Sequence, residues 1–177
     1  MSTCKAVAVA VTLLASACAV AQQGPHLGVP VSAADIAAWD ISIGPSGGGL
    51  PQGSGTASAG ASVYATKCIA CHGEKGAGKP SDQLVGGSGT LHDAAPVRTV
   101  GSYWPYATTL FDYIRRAMPW PQPQSLSADE VYALTAYLLF LNGVVGETDV
   151  MNATTLPKVV MPNRDNFDVA YHEPRHR

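Results

Sequence analysis

Hydrophobic positions keep a helical rhythm in only part of this chain. Between residues 107 and 117, Leu110, Phe111 and Ile114 share one face while Asp112, Arg115 and Arg116 lie off it, which predicts an amphipathic helix. A more clearly marked helix follows Ser127. Ser127 and Glu130 make a capping box, Val131, Leu134, Leu138 and Leu141 supply the apolar stripe, and Asn142-Gly143 is a C-terminal stop. Gly60, Tyr64 and Cys68 stand at helical spacing, so a further helix is expected from Gly60 to Lys67. Trp39-Asp40-Ile41-Ser42-Ile43 alternates apolar and polar residues instead, the period of a short strand.

Elsewhere the rhythm fails. IGPSGGGLPQGSGTASA (43–59) is too rich in Gly, Ser and Pro to build a core, which gives residues 22–59 the character of an arm. Residues 60–142 form the compact domain, with a Gly-rich loop at 73–93. Residues 143–177, broken by Pro157, Pro162 and Pro174, predict an extended tail with short docking pieces at Leu156 and Val159-Val160-Met161.

The first 21 residues stand apart. One positive charge, Lys5, precedes an apolar run from Ala6 to Ala17, and Ala19-Val20-Ala21 is a small-residue cleavage site. This is the layout of a secretory signal peptide, and the run is too short for a membrane span. A competing reading makes Cys18 a lipidated residue after Ala15-Ser16-Ala17, but Leu14 stands one position too early for that signal. Cleavage after Ala21 removes Cys4 and Cys18 and leaves two cysteines, Cys68 and Cys71.

Charge changes the picture by exclusion. A formal net charge of −2, with no basic stripe, gives no footprint for nucleic acid. The apolar part of 131–141 is half the length needed to cross a membrane.

Candidate chemistry is concentrated at 68–72, Cys-Ile-Ala-Cys-His. Two thiols two residues apart reach the two vinyl groups of one porphyrin, and the adjacent imidazole ligates its iron. Cys68 and Cys71 are thus the tethers of a c-type haem, and His72 is its proximal ligand. A zinc site would need a second Cys/His pair at ligand spacing, and the sequence has none. One such motif implies one covalent haem. Haem is attached to these motifs outside the cytoplasm, so export and tethering agree on a periplasmic destination.

The second axial ligand decides between electron carrier and open-site chemistry. Met118, in Arg-Arg-Ala-Met-Pro-Trp-Pro between two predicted helices, is the first candidate, since Pro119 ends the helix and holds the segment extended. Met161-Pro162 is the main rival, and His92 is a third option; His26, His172 and His176 read as solvated. With His72 and Met118 on the iron, no site is left for substrate. The chain then moves single electrons and is not itself an enzyme. A peroxidase or gas-binding protein would need a vacant sixth position.

The order helix, Cys-x-x-Cys-His, Gly-rich loop, helix, Met-Pro, capped last helix resembles class I cytochrome c domains over roughly residues 58–143. That resemblance implies an all-α fold, three to five helices around one haem, here with an N-terminal arm and a C-terminal tail. It also implies that Gly60 and Tyr64 meet Tyr137 and Leu141 where the first and last helices cross. A loop proline carbonyl, Pro80, would hold the His72 imidazole. Trp39-Asp40-Ile41 with Leu50-Pro51, GSYWPYATTLFDYIRRAMP (101–119) and LPKVVMPNRDNF (156–167) resemble the cytochrome subunit of periplasmic sulfane dehydrogenase, the SoxD type, and in part sulfite dehydrogenase cytochromes. This implies a molybdenum-containing dehydrogenase subunit as electron donor in sulfur-compound oxidation and a downstream acceptor cytochrome. The arm and tail would then clamp that partner, which a freely diffusing carrier would not need.

Overall fold

A computed structural model describes residues 27–168. The signal-peptide span 1–21 lies outside the described residues, as do His26, His172 and His176. The chain divides into two units, Met1–Asp40 and Ile41–Arg177.

Within the first unit, helix α1 spans Ala33–Trp39. Ser32 Oγ accepts from the Asp35 N–H at 3.1 Å, and the Asp35 carboxylate accepts from the Ser32 N–H at 3.2 Å. This capping box opens a run of alanines, the residue with the highest helix propensity. Trp39 therefore closes a helix and does not begin a strand. The alternation at 39–43 coincides with the exit from α1, where Asp40 turns extended.

The second unit is built on three helices: α2 (Ala57–Lys67), α4 (Ala107–Ala117) and α5 (Ala128–Leu141), with the single turn α3 (Ile69–His72) after α2. Thr56 caps α2 through the Ala59 N–H, which adds a turn before the expected start at Gly60. The capping box of α5 forms as read, with Ser127 N–H donating to Glu130 Oε2 at 2.9 Å. At its other end Gly143, at φ 69°, donates to Phe140 O, and Val144 donates to Leu139 O, a Schellman closure.

Helices α2 and α5 cross in close contact. A Cβ at Gly60 would fall on the Ala133 carbonyl and within 2.7 Å of Tyr137 Cβ. The rings of Tyr64 and Tyr137 lie 5.4 Å apart just beyond. Gly60→Ala is expected to force the helices apart at a cost of about 1–3 kcal/mol, the usual range for overpacking, read as a lower midpoint in urea.

Helix α4 meets α5 through Phe111 and Tyr132, whose centroids are 4.4 Å apart. Helix α5 is buried beyond its predicted stripe: Tyr132, Thr135, Ala136 and Leu139 are enclosed along with Val131, Leu134 and Leu138. The reason is that α2, α4 and the two strands below all pack on it.

The residues on either side of the helices are drawn onto this core. Strand β1 (Ser54–Gly55) pairs antiparallel with β2 (Met151–Asn152), Ser54 opposite Asn152. Tyr132 donates its hydroxyl hydrogen to Pro51 O at 2.9 Å, and Thr108 donates to Pro45 O at 3.2 Å. The Gly-rich stretch is thus held in place by hydrogen bonds to the helices. Leu156 docks in a short 3-10 turn, Leu156–Lys158, and Met161 follows it; both are at most 1% exposed, and Met151 is buried with them. Val160 stays outside, 73% exposed.

Candidate haem site

The end of α2 and the turn of α3 present the tethering motif. Cys68 caps α2 through its N–H to Tyr64 O, and Gly73, at φ 72°, ends α3 with its N–H on Ile69 O. Tyr64 donates its hydroxyl hydrogen to Gly73 O at 2.9 Å, and burial pushes that phenol up to about 12, so it remains a donor. Two loop amides close back on the motif: Gly78 N–H on His72 O at 2.7 Å and Ser81 N–H on Cys71 O at 2.9 Å.

These bonds fix the imidazole. His72 Nδ1 lies 3.0 Å from Asp82 O. A carbonyl only accepts, so Nδ1 carries the proton and Nε2 is left as the ligating nitrogen. The holding carbonyl is therefore that of Asp82 and not of Pro80. The loop turns back at Ser81, which places the carbonyl two residues further on beside the ring.

Across from the motif, α4 ends at Met118, whose backbone turns extended (φ −119°, ψ 147°) while its N–H still bonds Ile114 O. Between the two runs a cavity of about 440 Å³. Cys68, Cys71 and His72 line one part of it and Met118, Pro119 and Trp120 another, with Leu84, Val100, Leu110, Ile114, Leu134 and Leu138 among the apolar walls. Met161, the rival ligand, sits in the core with Leu156 and does not line this cavity, nor does Met151 or His92.

The donor set and the walls suit a tethered haem. Two thiols, one imidazole with a free nitrogen and one thioether meet in a cavity of ligand-site size and mostly apolar lining. They do not suit a dithiol redox pair. Burial pushes the Cys68 thiol up to about 11, against the lowered values of reactive cysteines. Nor do three His, Cys, Asp or Glu side chains cluster in a metal-ion geometry among the described residues.

One structural contributor was not legible as part of the site. Asn142, read only as a helix stop, donates through Nδ2 to Leu84 O at 3.2 Å and accepts from the Gly86 N–H at 3.1 Å. It ties the end of α5 to the loop that carries the Leu84 wall. A helix-terminal Asn looks the same in sequence whether its side chain does this or faces water.

The comparisons with known proteins agree with this geometry. The family described as Cytochrome C oxidase, cbb3-type, subunit III matches residues 55–138. Among solved structures, a chain of the sulfane dehydrogenase SoxCD from Paracoccus pantotrophus is 41% identical, with a TM-score of 0.76. The match covers 82% of this chain and 72% of that one. No curated protein sequence matches. No helix among the described residues is long and apolar enough to cross a membrane.

Proposed function

We propose, for a chain that belongs to the cytochrome c family and is SoxD-like within it, a role as a periplasmic mono-haem electron-transfer subunit. It takes electrons from a molybdenum-containing sulfane or sulfite dehydrogenase partner and passes them to a downstream cytochrome. When bound, the haem supplies a one-electron couple between ferric and ferrous iron. The residues of this chain tether it, ligate it and keep water from it. Cys68 and Cys71 would hold it covalently, His72 would ligate the iron through Nε2, and Met118 would offer its thioether sulfur. The observation that carries this reading is that Cys68, Cys71, His72 and Met118 line one mostly apolar cavity together.

Met118→Ala is expected to abolish the sulfur-to-iron charge-transfer band and lower the midpoint potential, because a thioether favours the ferrous state. Axial ligands command a span of ~0.8 V across haems, so the fall should be large. A Met118→Ala protein that keeps the band while Met161→Ala loses it overturns the assignment.

The donor is tested by purifying the protein from its native source and assaying bound molybdenum. A molybdenum subunit that travels with it supports the dehydrogenase reading. A lone cytochrome that any small acceptor oxidises supports the second reading, a freely diffusing carrier. One observation favours that second reading: Met151, Leu156 and Met161 of the tail cover their own domain, so the tail does not require a partner to bury it.

A further inference from the structure

The C-terminal segment packs on Tyr103, the chain neighbour of Trp104 in the cavity lining. Asn163 is 5% exposed, and its Nδ2 donates to Tyr103 O at 2.8 Å. Asn166 Nδ2 in turn donates to Asn163 Oδ1 at 3.1 Å. Phe167 meets the Tyr103 ring edge-on, centroids 5.4 Å apart, and Arg98 lies over that same ring at 5.4 Å. Arg98 lines the cavity. Lys67 lines it too but is paired with Glu130 at 2.7 Å, whereas Arg98 has no ion-pair partner among the described residues.

We infer that residues 163–167 set the reduction potential of the bound haem by holding Tyr103, and through it the unneutralised charge of Arg98, at the cavity wall. The inference rests on the haem reading above. A fixed cation beside the site disfavours the extra positive charge of ferric iron, and the effect falls with distance from the iron. Asn163, Phe167 and Tyr103 are positioning residues; the charge that acts is that of Arg98. Loosening Tyr103 frees the guanidinium from its place over the ring to move away from the cavity, where its field at the iron is weaker.

The test measures midpoint potentials of the full-length, haem-loaded chain by redox titration. Phe167 is 45% exposed, so Phe167→Ala should fold even where Asn163→Ala does not. Phe167→Ala, Asn163→Ala and Arg98→Gln are each expected to lower the potential with the charge-transfer band intact, and Phe167→Tyr to restore it. In the Arg98→Gln background, Phe167→Ala should produce no further fall. A lower melting temperature with an unchanged potential would falsify the inference, leaving the segment merely structural. Additive falls in the double variant also overturn it, since the tail would then act by another route. A wild-type chain that carries no covalent haem sinks the cofactor reading itself, which is a separate result.

Discussion

Stopping the chain after Gly143 is expected to yield little or no folded haem protein. Read as clamps for a partner, the arm and tail imply the opposite, that residues 58–143 stand alone with their spectrum intact. The structure explains the reversal. Met151, Leu156 and Met161 are buried among Tyr132, Leu139 and their neighbours, and β2 supplies the partner of β1. Burying side chains of this size contributes about 1.5–3 kcal/mol each, so three of them are worth roughly 5–9 kcal/mol. Net stability of a domain is only about 5–15 kcal/mol. The check is the melting temperature and haem yield of the truncated chain beside the full-length protein. Equal values would show that the tail adds nothing to the core. A chain ending after Asp168 should match the full-length protein, because every tail contact described above is then retained.

Replacing both Cys68 and Cys71 by Ala is expected to leave a chain that fails to fold and is degraded. The haem cavity is a large part of the interior. At about 24 cal/mol per Å³ of void, an unfilled cavity of about 440 Å³ corresponds to an upper figure of ~10 kcal/mol. That is comparable with the whole stability of a domain. A group that binds only the folded state also stabilises by mass action, and untethered haem would be lost to dilution. Single replacements should be milder, since one thioether still holds the group. Recovery of a stable, haem-free double variant with native helix content would show that the apolar walls collapse without a ligand.

The parts legible in the sequence are those whose signals are local. The Cys-x-x-Cys-His motif, the Leu110/Phe111/Ile114 face and the Ser127–Glu130 box each lie within a few residues, and each appears where it was read. Met118 is singled out in the sequence by its neighbour, Pro119, and it lines the cavity. The misses have physical causes too. The Ser32–Asp35 box is overlain by the strand-like alternation around Trp39, although a capped alanine run is the stronger signal. The docking of Met151 leaves no periodicity, since a single side chain fills a hole made by residues far away in sequence. The Asp82 carbonyl that holds His72 is a backbone group, which every residue possesses, so composition cannot single it out. The fully enclosed α5 is likewise a product of its neighbours and not of its own stripe.

The pairing of Ser54 with Asn152 also imposes an order in time. A chain delivered N-terminus first brings out Cys68 and Cys71 well before Met151, Leu156 and Met161 can arrive to seal the interior. Contacts between distant segments are slow to form because the intervening loop must first close. The thiols therefore spend an interval in a half-built cleft, open to solvent on the side that the tail later covers. The two-stranded clasp is in this sense a latch: it shuts only once residues 151 and 152 are present.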